Sequence, residues 1–128
     1  MKTGHSMIVA ALGVGAILGA AAAGSLRAQG PPTAYAVIEI SEFTDPESFK
    51  AVLANTPMGL VPFGGRFVIR SDNVVPLDGV PPKRFVLIAF DTMDRAQRWS
   101  ASAAVKENNA IRSRAAKWRS FLVEGPLH

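Results

Sequence analysis

The sequence predicts an α+β fold, a split βαβ arrangement in which a four-stranded antiparallel sheet carries helices on one face. Three observations predict it. Four runs of apolar and β-branched residues are separated by helical patterns, the elements follow one another as β, α, β, β, α, β, and a chain of 128 residues is long enough for one domain.

The first half of this pattern is one strand and one helix. Residues Tyr35 to Ile40 form the strand, and its period of two places Tyr35, Val37 and Glu39 on one face. Thr44 or Asp45 caps a helix that has a proline in its first turn. The helix is expected to end at Asn55 to Pro57, because the residue before a proline is disfavoured in the helical region.

The second half supplies three strands and a helix broken in two. Arg66 to Arg70 is a strand whose two arginines and Val68 share a face, and Phe85 to Phe90 is a wholly apolar, central strand. Thr92 caps the helical part, whose second stretch is expected to include Trp118, and Ser120 to Glu124 is the last strand. This order is the ferredoxin-like one.

The N-terminal segment has the layout of a secretory signal. Lys2 precedes a long stretch rich in Ala and Gly, and residues 1–28 are read as a signal peptide. The cut falls after Ala28 or near Ala23 or Gly24. Residues 29–33 are then a linker and residues 34–125 the folded domain, in a periplasmic or secreted protein. The alternative is an uncleaved N-terminal membrane anchor, the only membrane contact expected.

Composition excludes several kinds of chemistry. The chain has no cysteine, and its two histidines, His5 and His128, lie outside the predicted domain. Thiolate nucleophiles, iron–sulfur clusters, catalytic triads and multi-histidine metal sites are therefore not expected, and we expect no cofactor and no metal. Removing residues 1–28 removes two of the 14 basic residues and none of the 10 acidic ones, which leaves a net charge of only +2. We therefore expect no nucleic-acid partner.

The predicted fold leaves one side of the sheet without a cover. Helices protect a single face, while Val37, Val68 and Leu87 or its neighbours would place apolar side chains on the other face, against water. A second copy packed sheet to sheet would bury them and enclose a space between the subunits. The sequence therefore predicts a homodimer.

Several segments resemble the domain of unknown function 1330 family across about residues 34 to 125. They are TDPESFK, GGRFVIR, LDGVPPKRFVLIAF, the pair Ala96 and Trp99, and the closing FLVEG. The resemblance implies a dimeric α+β barrel with a small internal cavity, similar in fold to cofactor-independent antibiotic-biosynthesis monooxygenases and EthD-like proteins. It implies no reaction. Ser100 and Ser102 to Val105 depart from the family pattern, which has an aromatic after the Trp and often a Ser-Pro-Glu-aromatic stretch next, so the cavity wall is expected to differ.

Four side chains are candidate ligand-binding residues. Arg66 and Arg70 are placed on the face assigned to the dimer cavity, where a guanidinium can hold a carboxylate or an enolate. Tyr35 and Glu39 lie two residues apart on one strand face, where a phenol and a carboxylate could share a pocket and act on a proton. The structural alternative is that Arg66 forms an ion pair with Glu39 or Glu124.

These observations favour an exported homodimer that binds a small molecule, aromatic or anionic, of unknown identity. One alternative is a cofactor-independent monooxygenase or isomerase that uses Glu39 or Tyr35 for proton transfer and Arg66 to stabilise an enolate. Another is a structural or stress-related interaction module. Seven basic residues between Arg95 and Arg119 are interpreted as a solvated helix face, with attraction to an anionic surface as the rival reading. Whether the protein is an enzyme stays open.

Overall fold

The computed structural model describes residues 31–125. Its strands are β1 (Ala34–Phe43), β2 (Arg66–Ser71), β3 (Arg84–Phe90) and β4 (Ala116–Glu124), and its helices are α1 (Pro46–Leu60), α2 (Met93–Ser100) and α3 (Ala103–Ala115), with a 3-10 turn at Val61–Phe63. The predicted signal peptide, residues 1–28, lies outside the described residues, as does the start of the predicted linker.

The four strands form one antiparallel sheet in the order β2-β3-β1-β4. The two outer strands follow the helical segments that cross the sheet, so β1 and β3 are central and the helices cover a single face. This is the ferredoxin-like split βαβ topology, and the predicted fold class is confirmed.

The core lies between the sheet and the helices. Alternate residues of β1 point into it, from Ala34 to Ile40, and β3 adds Ile88 and Phe90, both fully buried. The helices contribute one stripe each, and the rings of Phe90 and Trp99 pack 5.3 Å apart. Caps predicted from the sequence are present, since Asp45 accepts from the Ser48 amide and Thr92 from the Arg95 amide.

Helix α1 continues past its proline, and the predicted end at Asn55 to Pro57 is wrong. Pro57 lies inside the helix, which runs one turn further to Leu60. The Leu60 side chain is 2% exposed, so burial of this residue outweighs the amide hydrogen bond that proline removes. The hydroxyl of Thr56 donates to the Val52 carbonyl at 2.6 Å within the same turn.

Strand β4 begins four residues earlier than predicted, at Ala116, so Trp118 is in a strand and not in the second helical stretch. The backbone amides of Thr44 and Asp45 donate to the Ala115 carbonyl at 2.8 and 3.0 Å, which joins the end of α3 to the loop after β1. Pairing with β1 over nine registered positions then holds the segment extended. Hydrophobic periodicity alone does not distinguish a helix from a strand for the residues around Trp118, because their pattern fits both.

None of the helices within residues 31–125 is long and apolar enough to cross a bilayer. The N-terminal anchor considered from the sequence falls on residues that the structure does not describe.

Candidate functional site

The sheet face opposite the helices, here called the open face, carries three rows of side chains. Residues paired across neighbouring antiparallel strands lie on the same face, so the register gives each row directly. The central row is apolar throughout, and the two flanking rows mix apolar and polar residues. The central row is Phe121, Val37, Leu87 and Ile69, and the flanking rows are Val123, Tyr35, Ala89 and Arg66, then Arg119, Glu39, Phe85 and Ser71.

A bulge in β2 separates the two arginines that the sequence places together. The register with β3 shifts between Phe67 and Ile69, so Val68 is an extra residue and the alternation reverses beyond it. Arg66 stays on the open face, whereas Arg70 falls on the helix side. Its guanidinium lies 5.0 Å from the centre of the Phe67 ring. The predicted common face for the two arginines is therefore wrong, because a period of two fails across a bulge.

Arg70 instead lines an open groove between helix α1 and the β2 edge of the sheet. The groove is also lined by Lys50, Leu53, Asp72 and Arg84. Arg84 donates two hydrogen bonds to Asp72, of 2.5 and 2.9 Å, and these hydrogen bonds hold the pKa of Asp72 below its usual value. The pair closes the neck of the loop between β2 and β3.

The predicted site residues on the open face do not meet within one subunit. Glu39 accepts from Arg119 at 2.9 Å, and Arg66 forms an ion pair with Asp91 at 3.2 Å, not with Glu39 or Glu124 as considered from the sequence. The Cα atoms of Glu39 and Arg66 are about 16 Å apart by strand spacing and rise, with β3 between their strands. Tyr35 is half-buried in the same row as Arg66.

A cleft of about 200 Å³ lies on the other side of the sheet, between it and the helices. Its floor comes from β1 and β4, and its walls come from α1, from the end of α2 and from one face of α3. Most of its lining is small or apolar. The polar lining residues are Thr56, Ser100, Asn108, Asn109, Arg112 and Ser120.

Two polar side chains of this cleft are buried, and each has an atom without a hydrogen-bond partner. Arg112 is 7% exposed and Asn108 is 6% exposed. The Nε of Arg112 and the Oδ1 of Asn108 find no partner among residues 31–125, although Arg112 Nη1 donates to Asn109 Oδ1 at 2.7 Å. Buried polar groups are nearly always satisfied, so these two atoms, on residues that line the cleft, are exceptions that a polar partner would remove.

Arg112 also has no acidic partner in the described part of the chain. None of the ion pairs found there includes it, and its guanidinium lies 5.2 Å from the centre of the Trp118 ring. Burial lowers the pKa of Arg112 below its ordinary value, since the protein interior disfavours the charged form. A buried cation held in this way attracts an anion.

The sequence did not single out these two residues, and the reading of Arg112 as part of a solvated helix face is wrong. A usable signal was present. Ala104, Asn108, Arg112 and Ala115 are spaced by four, four and three residues, which is one face of a helix. Polarity argues against burial at two of those positions, so the spacing alone does not identify them.

The described residues contain no group of three or more histidine, cysteine, aspartate or glutamate side chains that could hold a metal ion. The arrangement in the cleft is a donor, an acceptor and an apolar wall, which suits an organic ligand with an acidic group.

Several solved structures share this fold. A protein of unknown function from Rhodopseudomonas palustris superposes with a TM-score of 0.62 and 12% identity, over 76% of this chain and 84% of that one. SnoaB, a cofactor-independent oxygenase from Streptomyces nogalater, superposes with a TM-score of 0.52 and 17% identity, over 77% of this chain and 97% of that one. A protein from Arabidopsis thaliana superposes with a TM-score of 0.56 and 12% identity, over 77% of this chain and 92% of that one.

At such identities the likeness is one of fold. Among curated proteins, none matches the chain. The sequence resemblance noted above is confirmed by the family model for DUF1330, Domain of unknown function, which matches residues 33–126, and the chain belongs to that family.

Proposed function

We propose that this protein is an exported homodimer that binds a small organic molecule in the cleft between the helices and the sheet of each subunit. The observation that carries the proposal is the cleft itself, with two buried polar atoms left unsatisfied beside an apolar wall. The polar atoms fix a ligand's orientation and the wall removes its apolar surface from water.

The open face supports the dimer. Its central row is apolar, and Phe121 and Ile69 of that row are 46% and 43% exposed, although Val37 between them is already buried within the subunit. Ion pairs flank that row on either side, Glu39 with Arg119 and Arg66 with Asp91. An apolar centre with a polar rim is the composition of a subunit interface, and one face with this pattern can pair with its own copy about a two-fold axis.

Export is supported by the layout of residues 1–28 in the sequence. The intact mass of the protein recovered from an exporting host distinguishes a cleaved signal from an anchor. The pairing of Glu39 with Arg119 gives no support to a proton-transfer role for Glu39, so binding is proposed here and catalysis is not.

Phe121→Glu is expected to separate the dimer into monomers. Each subunit would place a carboxylate in the central row of the open face, where two copies bring like charges into an apolar contact. We expect the dissociation constant to rise at least about 100-fold. Sedimentation velocity on protein at micromolar concentration measures this.

Met58→Glu is the matched control for that experiment, because Met58 is 74% exposed on α1, away from the open face. It should leave the dimer intact. A wild-type protein that sediments as a monomer at high micromolar concentration would rule out the dimer.

Ser100→Phe is expected to abolish binding of small ring compounds in the cleft. Ser100 is exposed at the end of α2 and lines the cleft, so a phenyl ring there occupies ligand space without disturbing the core. Ala101→Phe is the control, since Ala101 is the exposed next residue and does not line the cleft. Saturation-transfer NMR with a set of neutral and acidic single-ring compounds provides the readout. Equal binding by both variants would place the site elsewhere.

A further inference from the structure

The hydrogen-bond pattern around Asn108 shows what its free atom requires. The hydroxyl of Thr56 donates its proton to the Val52 carbonyl at 2.6 Å, so its oxygen is left as an acceptor for Asn108 Nδ2 at 3.4 Å. This orients the Asn108 amide with Oδ1 unpaired. A carboxamide oxygen only accepts hydrogen bonds, so a ligand group at this point must be a donor.

Arg112 sets the opposite requirement. Its guanidinium only donates, one edge is engaged by Asn109, and Nε is free. The charge is buried with no carboxylate beside it in the described chain, so an acceptor that also carries negative charge is the complementary group. A carboxylate meets both conditions.

We propose that the ligand of the cleft is a small hydroxy acid with a carboxylate on Arg112 and a hydroxyl that donates to Asn108 Oδ1. This inference rests on the proposed binding function and specifies its ligand class. Asn108 and Arg112 are four residues apart in α3, so they lie one turn apart on the same face, with Cβ atoms about 6 Å apart. One ligand can therefore engage both once small side-chain rotations expose the two buried atoms to the cleft.

The size and lining of the cleft limit the rest of the molecule. A cavity of about 150 Å³ is sufficient for benzene, so about 200 Å³ is enough for one ring or a short branched chain with its polar groups. The apolar part of the lining includes Ala36, Ile38, Trp99, Val105, Phe121 and Leu122. A single-ring hydroxy acid combines an apolar body with the two polar groups that the cleft requires.

The test compares the dissociation constants of 3- and 4-hydroxybenzoate with those of benzoate and phenol. Isothermal titration calorimetry measures them on the protein purified after expression of the full-length chain. At least one hydroxybenzoate should bind about 10-fold more tightly than benzoate and than phenol, since each comparison removes one buried hydrogen bond. Phenol binding as tightly as the tighter-binding hydroxybenzoate would overturn the carboxylate requirement. Benzoate binding as tightly as that hydroxybenzoate would overturn the hydroxyl requirement.

Failure of this inference is separable from failure of the proposed function. If only neutral compounds bind and Ser100→Phe blocks them, the cleft is a binding site and the hydroxy-acid assignment is wrong. If no compound shows binding that depends on Ser100→Phe, the binding function itself is wrong and the inference falls with it.

Arg112→Met tests whether the arginine serves a ligand or the fold. The substitution removes a buried, unpaired charge and keeps a shorter, unbranched apolar stem, so the melting temperature should change little while the preference for hydroxybenzoate over phenol falls about 10-fold. Arg114→Met, at an exposed position of the same helix, should change neither. A lower melting temperature with unchanged relative affinities would show a structural arginine and overturn the proposal.

Asn108→Leu provides an independent variant. It removes the acceptor, so hydroxybenzoate should bind no better than benzoate while both remain preferred to phenol. Retention of the hydroxyl preference in Asn108→Leu would contradict the assignment of Asn108.

Discussion

Gly65→Ala is expected to lower the free energy of unfolding by about 3 kcal/mol, the upper part of the range for overpacked cores. A Cβ at this position would lie 2.6 Å from Leu60 Cδ2 and 2.7 Å from Phe90 Cε1. Both neighbours are buried, at 2% and 0% exposure, and the Phe90 ring is held against Trp99. The ring cannot retreat, so either β2 or the end of α1 must shift. Urea unfolding followed by fluorescence measures the loss.

Two other glycines serve as comparisons in that experiment. Gly125→Ala should change stability by less than about 0.5 kcal/mol, because nothing lies within 4 Å of a Cβ built there. Gly64 has a φ of 67°, so Gly64→Ala should cost about 1 to 2 kcal/mol through backbone strain alone. If Gly65→Ala unfolds at the same urea concentration as wild type, the close packing of Gly65 against Leu60 and Phe90 is wrong.

The element order was predictable because local signals agree with one another. Asp45 and Thr92 cap helices, and the apolar run from Phe85 to Phe90 is long enough to recognise as a central strand. Errors fell where tertiary contacts decide. Burial of Leu60 extends α1 beyond Pro57, and pairing with β1 draws Trp118 into a strand, and neither partner is visible in local sequence.

The site was less predictable than the fold. A period of two predicts that Arg66 and Arg70 share one face, but the bulge at Val68 reverses the alternation beyond it. Arg112 and Asn108 were missed for a different reason. Arginine is rarely buried without an acidic partner, so a prediction based on typical burial places Arg112 on the solvent-exposed surface. Functional positions are where such typical readings are expected to fail.

Trp99→Ala is expected to lower the free energy of unfolding by about 3 to 5 kcal/mol, which is a large part of the 5 to 15 kcal/mol typical of a domain. Trp99 is 8% exposed, packs on Phe90 and lines the cleft. The substitution therefore leaves a void that is continuous with the cleft. Urea unfolding at a fixed protein concentration measures the change, because a dimer's stability depends on concentration.

Trp118→Ala is the comparison that separates the two tryptophans. Trp118 is half-buried, and its ring faces the Arg112 guanidinium at 5.2 Å. We expect a loss of about 1 to 2 kcal/mol, from reduced burial and a lost cation–π contact. In the ligand experiments, Trp99→Ala should still bind neutral ring compounds, since the substitution widens the cleft and leaves its other apolar lining in place. Trp118→Ala should weaken hydroxybenzoate binding, because the Arg112 guanidinium loses the ring that holds it. Equal losses of stability in both variants would contradict the difference in burial on which this assignment of roles depends.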